Sequence, residues 1–583
     1  MRVEEGFQQT AFADDSPYTS DPVLQGLLKR VLPDKEVDLD LRRFEQEVVT
    51  NVRDLGNISY PPSLIQYDQW GKRVDYLHTS EGWRGLKAFA QKEGIVSIAY
   101  ERKQGEYSRV FGFMKMALMT GDAQVIFCPL SMTDGCARVL ELYGNSALQK
   151  DVLPHVISRD PSVAFTSGQW MTERPGGSDV SQTETVATAL TESHSTYGPK
   201  YKLDGFKWFS SATDSNISVA LARTGTLAQG SRGLSLFLVP LRLPLLRGPS
   251  DPLPSSTSNN IFVHRLKKKF GTQIVPTAEL SINSAEAYLL GPENQGVKCI
   301  TPVLAITRIY SAVGSVGALR KCLAIARSFS TVRTINGGRQ LLSATPLHVA
   351  ELAKVSLIYR ALTHLVFGAI HLLGKTECGT ATPEEALRLR LLTPIVKGFA
   401  AEKAVPAMEE CMAALGGQGL IRDGMVEKIW EGTVTVLSLD LIRSMHVKGA
   451  QEAFTSWAKS ILASVPNKLQ LEIKDELSHL QAALKDLEAA YAPPIQPLVP
   501  RPALFLFSYV TSSLYLLEHA VWSYQKGEVE KEIDVETFKR WISEGGLDAA
   551  REDLNKARAA PGNRSVSNAA LVYGAAAAER SKL

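Results

Sequence analysis

The sequence predicts a multidomain α+β protein in which helical regions flank one central β region. The chain has 583 residues, more than one hydrophobic core can organise, so two to four domains are expected. Apolar residues recur at helical spacing before residue 160 and again after residue 300. Between about 162 and 288 the pattern changes to short apolar runs bounded by glycine and proline, which is typical of strands.

The four predicted domains have the bounds 1–160, 161–288, 289–460 and 461–583. The first is helical, with apolar residues at helical spacing over Val110–Met119, although Tyr60-Pro61-Pro62 breaks the pattern because proline cannot continue a helix. The second is a β domain. Long stretches with few helix breakers, such as Leu347–Leu373 and Pro383–Leu415, predict a helical bundle in the third. The fourth is an additional helical domain, interrupted by Ala492–Pro497.

Short apolar runs predict the strands of the β domain. Three of these runs are Val219–Ala222, Leu234–Pro240 and Glu279–Ile282. Tyr201–Gly205 is typical of a strand that enters a turn. The segment Pro244–Asn260 is rich in proline and serine, so it predicts a surface loop.

Composition and charge argue against several classes of protein. The net charge of +3 makes no case for nucleic acid or an anionic membrane as a partner. Six scattered cysteines without a Cys-x-x-Cys pair argue against a zinc site or a disulfide framework, and no metal is expected. Met1–Ser20 is polar and acidic and lacks the apolar region of a signal peptide. Ala503–Leu517 is about 15 residues long, whereas a bilayer span needs roughly 20, so a buried helix and no membrane span are expected.

The most informative stretch is Met171-Thr172-Glu173-Arg174-Pro175-Gly176-Gly177-Ser178-Asp179. A bound flavin ring needs hydrogen-bond donors for its nitrogens and carbonyl oxygens, and a backbone that can approach it closely. Thr172, Gly176, Gly177 and Ser178 supply both in one loop. The alternative is a tight turn at the end of a strand.

A second motif, Lys207-Trp208-Phe209-Ser210, follows along the chain. Ser210 stands two residues after Trp208, so in an extended strand both side chains are expected on the same face. The motif then combines an aromatic surface with a hydroxyl. The alternative for Trp208 is an ordinary core position, which most tryptophans occupy.

Glu431 is the candidate general base, and it lies between Trp430 and Gly432. An apolar neighbour raises the pKa of a carboxyl group by desolvation, as a base that works near neutrality requires. Gly432 allows backbone amides to approach a ligand closely. The alternative is a structural glutamate at a helix N-terminus, because Thr433 and an apolar run follow.

Two further motifs are weaker. Leu415-Gly416-Gly417-Gln418-Gly419 is typical of a glycine turn that ends a helix. Arg333 and the run Lys267-Lys268-Lys269 stand near predicted loops, where basic residues are more often solvated surface than phosphate contacts.

Together these motifs resemble the acyl-CoA dehydrogenase and oxidase flavoprotein superfamily over roughly residues 60 to 450. Met171-Thr172-Glu173 with Gly177-Ser178-Asp179 is similar to the first signature of that family. Lys207–Ser210 is similar to its strand beside the flavin, and Glu431-Gly432-Thr433 to its base-bearing loop. The resemblance implies an N-terminal helical domain, a central β-barrel-like domain and a C-terminal helical bundle. It also implies a homodimer or homotetramer, because FAD contacts in this superfamily cross subunits.

Other details resemble the AidB-like branch, in a fungal-type peroxisomal form. Pro61–Asp68 and Cys128–Thr133 are similar to segments of that branch, and the additional helical domain is shared. Arg174 stands where other members usually have proline. The sequence departs from the family at Gly271-Thr272-Gln273, where Gly-x-Arg is usual, and in the insertion Pro244–Asn260.

The resemblance implies noncovalently bound FAD and an acyl-CoA or related thioester as substrate. Glu431 is implied as the base that removes the α-proton while the β-hydride goes to the flavin, which gives a 2-enoyl thioester. Thr172 and Ser210 are implied to hydrogen-bond the ring, against which Trp208 packs. Further implied cofactor contacts are Met171, Gly177, Ser178, Arg333, Gly416, Gly417 and Thr433. The implied substrate contacts are Ser178, Arg308 and Gly432.

The chain ends in Ser581-Lys582-Leu583, which at a free C-terminus is a peroxisomal address read by an import receptor. We therefore expect a peroxisomal protein. Because a peroxisome lacks the respiratory route that ordinary dehydrogenases of this family use, reoxidation of the flavin by O₂ is a hypothesis that follows.

Three alternatives stay open. The first is a flavoprotein associated with nucleic acid, as bacterial AidB-like proteins are. Residues 461–583 hold 14 Lys and Arg against 16 Asp and Glu, a net charge of −2, which argues against it because DNA affinity depends on neutralising phosphates. The second is a binding or assembly role without turnover. The third keeps the chemistry but acts on an amine, a nitroalkane or a thioester of secondary metabolism.

Overall fold

A computed structural model describes residues 14–190, 195–248, 251–416, 428 and 430–573. The predicted cofactor contact Gly417 and the C-terminal Ser581-Lys582-Leu583 lie outside the described residues. The chain folds as two compact units. The first comprises Met1–Leu389 and Val396–Thr433, and the second comprises Arg390–Ile395 and Val434–Leu583.

The N-terminal part of the first unit is mainly helical, as predicted. Acidic caps start its first two helices, because the carboxylates of Asp21 and Asp34 each accept two backbone N–H groups of the first turn. The helices are α1 (Pro22–Val31), α2 (Lys35–Glu47), α3 (Arg53–Asn57), α4 (Glu81–Lys92), α5 (Ile98–Glu101), α6 (Ser108–Met119), α7 (Phe127–Tyr143) and α8 (Leu153–Val156).

A β-hairpin that the sequence analysis missed interrupts these helices. Strands β1 (Ser63–Tyr67) and β2 (Arg73–His78) pair antiparallel directly after Pro61-Pro62. The Asp68 carboxylate accepts the N–H groups of two turn residues, and Gly71 takes the left-handed conformation with φ +77°. The two prolines therefore mark a change from helix to strand.

The central region is a closed sheet of seven strands within the described residues. They are β3 (Ser167–Trp170), β4 (Val186–Ala189), β5 (Lys200–Ser211), β6 (Ile217–Arg223), β7 (Leu234–Pro240), β8 (Ile261–Leu266) and β9 (Thr277–Leu290). Pairing runs from β4 through β5, β9 and β7 to β6, and returns to β4 at the pair Val186 and Arg223. The sheet thus closes into the barrel-like form that the resemblance implies. A buried apolar cluster that includes Trp170, Leu203, Phe237 and Leu280 packs on these strands.

The three apolar runs predicted as strands lie within β6, β7 and β9, but Gly205 does not begin a turn. Strand β5 continues through Gly205 to Ser211. A Cβ at Gly205 would lie 2.5 Å from the Thr185 hydroxyl oxygen, so the glycine reflects a close approach of two chain segments. The described parts of Pro244–Asn260 contain no helix or strand, as predicted for a loop.

The remainder of the first unit is a bundle of long helices. These are α9 (Gly296–Val332), α10 (Pro346–Cys378) and α11 (Pro383–Ala413), with a short hairpin of β10 (Thr334–Ile335) and β11 (Gln340–Leu341) after α9. Helix α9 packs against α6, α7, α10 and β7, so it connects the N-terminal helices with the barrel. Thr382 and Glu385 form a capping box at the start of α11.

Apart from its short piece of α11, the second unit consists of the helices after Thr433. They are α12 (Val434–Met445), α13 (Ala450–Ala463), α14 (Asn467–Glu472), α15 (Lys474–Ala490), α16 (Pro500–Lys526), α17 (Lys531–Glu544), α18 (Leu547–Arg558) and α19 (Arg564–Tyr573). Helix α16 is central, because it packs against α12, α13, α15, α17 and α18. The buried Trp541 donates its indole N–H to the Ser512 hydroxyl at 2.9 Å.

Among the described residues, α9, α10 and α16 are long and apolar enough to cross a membrane by length and composition. Their most apolar windows are 72%, 72% and 89% buried within the protein. Helix α16 has 27 residues, longer than the apolar run from which a buried helix was predicted. The expected absence of a membrane span therefore stays a prediction. All six cysteines are free thiols, which agrees with the absence of a disulfide framework.

Candidate active site

The glycine-rich signature forms a tight turn directly after β3. Glu173 and Gly176 exchange two backbone hydrogen bonds, of 3.0 and 3.2 Å, which close the turn. A Cβ at Gly176 would lie 2.1 Å from the carbonyl oxygen of Asp179, so glycine is required there. The Trp208 N–H donates to the Thr172 carbonyl at 3.0 Å. The structure therefore brings the two sequence motifs together.

A buried ion pair that sequence reasoning missed joins the same two motifs. The Lys207 ammonium donates to Glu173 Oε1 at 2.5 Å, and it also donates to the Leu221 carbonyl at 2.8 Å. Thr185 and the Glu184 N–H complete the carboxylate's hydrogen bonds. Burial acts to raise the pKa of Glu173, but Lys207 and these hydrogen bonds outweigh it and hold that pKa below its usual value. Lys207 stands in phase with the inward-facing Tyr201 and Leu203 of β5, which was the available signal.

A β-bulge separates Trp208 from Ser210. Lys207 pairs with Leu280, and Ser210 pairs with Ala278. Trp208 and Phe209 therefore stand together opposite one β9 residue, the one between Ala278 and Leu280. Across such a bulge, successive side chains no longer alternate strictly between the two faces of the sheet. Ser210 is fully buried, while Trp208 stays partly accessible and Phe209 is exposed. The prediction that Trp208 and Ser210 share a face is therefore wrong.

The basic run beside Trp208 is only partly solvated surface. The Lys267 ammonium lies 3.3 Å from the centre of the Trp208 ring and 2.7 Å from the buried carboxylate of Glu279. Lys269 donates to the Thr277 hydroxyl at 2.7 Å, and burial lowers the pKa of Lys269 to about 8. Only Lys268 is exposed as predicted.

Glu431, the candidate base, is held against helix α9. The Thr307 hydroxyl donates to Glu431 Oε2 at 2.6 Å. Glu431 has φ +57°, a left-handed conformation that is costly for a residue with a side chain. Burial of its carboxyl group raises the pKa of Glu431, although the Thr307 hydrogen bond and the charges of Arg308 and Lys397 oppose that rise. The predicted substrate contact Arg308 therefore acts on the same carboxylate.

The residues on either side of Glu431 are also fixed. The Trp430 indole N–H donates to the Ser311 hydroxyl of α9 at 3.1 Å. The ammonium of Lys397, on α11, donates to the Gly432 carbonyl at 2.6 Å. Sequence reasoning missed these partners because they lie far from Glu431 along the chain. A lysine within the apolar stretch of α11 was the one signal for Lys397.

The other predicted contacts differ in exposure. Gly177, Ser178 and Thr433 are exposed, whereas Met171 is buried. Gly416 follows α11 with φ +63°, which fits the predicted glycine turn. Arg333 is exposed at the end of α9.

The residues around the two motifs fit a flavin. The Ser210 hydroxyl is buried and has no hydrogen-bond partner among the described residues. A buried hydroxyl without a partner is costly, so a bound group that accepts a hydrogen bond from it would satisfy it. Thr172 adds a second hydroxyl, and the partly accessible Trp208 adds an aromatic surface. Thr172 and Ser210 therefore supply hydroxyls suited to hold the ring, while the role of Trp208, which does not share a face with Ser210, rests on the family resemblance.

Three family matches cover most of the chain. Residues 7–161 match the family described as the adaptive response protein AidB N-terminal domain. Residues 168–285 match the acyl-CoA dehydrogenase middle domain, and residues 294–436 match the acyl-CoA dehydrogenase C-terminal domain.

Individual relatives cover between two thirds and nearly all of the chain. The chain is 37% identical over 575 residues to acyl-CoA dehydrogenase family member 11 of Caenorhabditis elegans, covering 93% of this chain and 90% of that protein. The crystal structure of C. elegans ACDH-11 in complex with C11-CoA has a TM-score of 0.87 at 35% identity, covering 97% of each chain. The chain is also 29% identical to the putative acyl-CoA dehydrogenase AidB of Escherichia coli, covering 67% of this chain and 70% of that protein.

Proposed function

Because this chain belongs to the acyl-CoA dehydrogenase family, as an FAD-dependent oxidoreductase of its AidB-like branch, we propose that it oxidises an acyl-CoA to the 2-enoyl thioester with Glu431 as the base. The observation that carries the proposal is the Glu431 carboxylate, which Thr307 holds at 2.6 Å in a left-handed turn. A carboxylate with a raised pKa takes up a proton more readily than an ordinary surface glutamate.

Several residues have distinct tasks in the proposed reaction. Thr307 fixes one oxygen of Glu431, which leaves the other carboxylate oxygen to take the α-proton of the substrate. The Glu431 backbone N–H is proposed to polarise the thioester carbonyl, as an oxyanion donor does. Thr172, Trp208 and Ser210 are proposed to hold the FAD ring. When bound, FAD supplies the acceptor for the β-hydride.

The C. elegans relative with C11-CoA bound supports a choice of first substrate. We propose that this chain accepts an acyl-CoA of similar length. Nothing in the described residues favours an amine or a nitroalkane over a thioester.

The proposed reaction is tested by the visible spectrum of the purified, FAD-loaded protein. Anaerobic addition of a C11 acyl-CoA is expected to bleach the flavin absorbance, and a panel of shorter and longer acyl-CoAs then defines the preferred length. An oxidised spectrum that persists with every acyl-CoA in the panel would reject acyl-CoA oxidation.

Electron acceptor, location and assembly are separate proposals. The Ser581-Lys582-Leu583 sequence supports a peroxisomal location and an import receptor as partner. For such a location we propose reoxidation by O₂, which oxygen consumption in the presence of acyl-CoA measures. Reduced flavin that stays reduced in air would reject it.

The exposed Arg333 supports a homodimer or homotetramer in which that residue reaches a neighbouring subunit's FAD, and sedimentation of the holoprotein tests the assembly.

A further inference from the structure

Lys397 is a fully buried lysine in the middle of α11. Lys397 has no exposed surface, and its helix neighbours Val396, Phe399 and Ala400 are equally buried. Removing an ammonium group from water is costly unless strong hydrogen bonds compensate. The ammonium donates to the Gly432 carbonyl at 2.6 Å, so its charge is directed at the backbone next to Glu431.

The backbone that Lys397 contacts is strained. Glu431 and Gly432 are consecutive left-handed residues, with φ +57° and φ +102°. Glycine adopts this conformation without penalty, but glutamate does not, so the turn persists only when its surroundings hold it. Thr307 holds the Glu431 side chain, and Ser311 holds the Trp430 side chain. Lys397 instead holds the main chain of the turn.

We propose that Lys397 is a positioning residue for the base, because its ammonium fixes the Gly432 carbonyl and so the direction in which the Glu431 carboxylate points. The inference rests on the proposed function, since it assumes that Glu431 takes a proton from substrate. Lys397 acts through Glu431 and has no part in the bonds that form or break.

The charge of Lys397 adds a second effect that can be measured. Two cations act on the Glu431 carboxylate, Arg308 from α9 and Lys397 from α11, and Thr307 donates a hydrogen bond. All three lower the pKa of Glu431, against the larger effect of burial. A purely structural lysine would leave this pKa unchanged when replaced at constant fold, whereas loss of the Lys397 charge raises it further.

The test compares Lys397→Met, Lys397→Gln and Lys397→Arg in the FAD-loaded protein. Lys403→Met is the matched control, because Lys403 lies on the same helix and packs its ammonium 5.8 Å from the Phe399 ring. The rate of flavin bleaching by saturating C11 acyl-CoA is measured by stopped flow across the pH range, together with flavin content and melting temperature.

Lys397→Met is expected to lower the limiting rate about 10²-fold, the typical effect of displacing a catalytic group by about 1 Å. The acid limb of its pH–rate profile should move to higher pH. Lys397→Gln should show the same shift, even where the methionine variant does not retain FAD. Lys397→Arg should restore the pH profile, and Lys403→Met should match wild type.

Two negative results have different meanings. A wild-type protein that no acyl-CoA bleaches rejects the proposed function. A wild-type protein that reacts, with neutral Lys397 variants that keep both its rate and its acid limb, rejects the positioning role alone.

Discussion

Glu431 combines the two properties that a catalytic carboxylate needs, a defined direction and a raised pKa. The direction comes from Thr307 and from the left-handed turn, and the pKa comes mainly from burial. The competing interpretation of Glu431 as a simple helix-capping residue explains neither feature. Helix α12 begins only at Val434, three residues later.

Replacing Glu431 by glutamine is the first prediction at this scale. The amide keeps the size of the side chain but cannot take a proton, so the rate of flavin bleaching should fall by about 10²–10⁴-fold or more. Flavin content, measured from absorbance, should stay at the wild-type level. A Glu431→Gln protein that bleaches at the wild-type rate would exclude Glu431 as the base.

Thr307 provides a second prediction, on pH dependence. Its hydroxyl stabilises the charged carboxylate and so lowers the pKa of Glu431. Thr307→Val removes that donor with little change in volume, so the acid limb of the bleaching rate should move to higher pH. Thr301→Val is the control, because Thr301 lies on the same helix and its exposed hydroxyl donates to the Val297 carbonyl. An acid limb at the wild-type pH in Thr307→Val would contradict the assigned role of the hydroxyl.

The sequence predicts Glu431 but not the residues that hold it. Trp430 and Gly432 mark Glu431 because they are its neighbours in the chain. Thr307 lies 124 residues from Glu431, and Lys397 lies 35 residues from Gly432. Their contacts depend on which faces of α9 and α11 meet the turn, and apolar periodicity does not specify that for helices buried nearly all round.

At the scale of elements, the Glu173–Lys207 ion pair is a buried connection between the signature turn and strand β5. Both side chains are buried, with 3% and 0% of their surface exposed. Removing one partner leaves the other charge buried and unpaired, so Glu173→Gln or Lys207→Met should lower the free energy of unfolding by about 3–5 kcal/mol. Urea denaturation at neutral pH measures this loss.

Two controls separate the buried pair from charge effects in general. Glu286→Gln removes a more exposed pair between β9 and Lys200, which lies on the same strand as Lys207, and such a pair is worth about 0–1 kcal/mol. The double replacement Glu173→Gln with Lys207→Met should recover much of the stability, because it leaves no unpaired charge and keeps an oxygen that accepts from Thr185. A single Glu173→Gln variant as stable as Glu286→Gln would show that the buried pair does not support the turn.

The same carboxylate gives the stability a defined pH dependence. Glu173 has a lowered pKa in the folded protein, so its contribution is present above the unfolded-state pKa and is lost as the pH falls through the folded value. The difference in stability between wild type and Glu173→Gln should therefore shrink at acidic pH. A difference that stays constant down to pH 3 would contradict this assignment.

Strand patterns predicted where the barrel strands lie but not their irregularities. The apolar runs in β6, β7 and β9 face a closed core, so their composition is a sufficient signal. The bulge at Trp208 and the close contact at Gly205 depend on partner strands that are distant in sequence. The assumption that side chains alternate strictly along a strand therefore placed Ser210 on the wrong face relative to Trp208.

At the scale of the whole molecule, family, architecture and cofactor class were predicted from the sequence, while the four domain bounds stay a prediction. The additional helical region has a net charge of −2 over residues 461–583, so it lacks the excess of cations that phosphate binding requires. We expect no mobility shift of double-stranded DNA by the full-length holoprotein at physiological salt. A shift that weakens as salt rises would instead favour the nucleic-acid alternative.

The first unit is completed by residues late in the chain, which has a consequence for biosynthesis. Residues 390–395 belong to the second unit, while Lys397 and Glu431 complete the first. The two motifs that hold Thr172 and Ser210 end at Ser210, so at ~5–20 residues/s they leave the ribosome roughly 10 to 45 s before Glu431 does. A nascent chain therefore carries these two ring-side motifs long before it carries the proposed base. Products of premature termination before Glu431 are expected to have no activity.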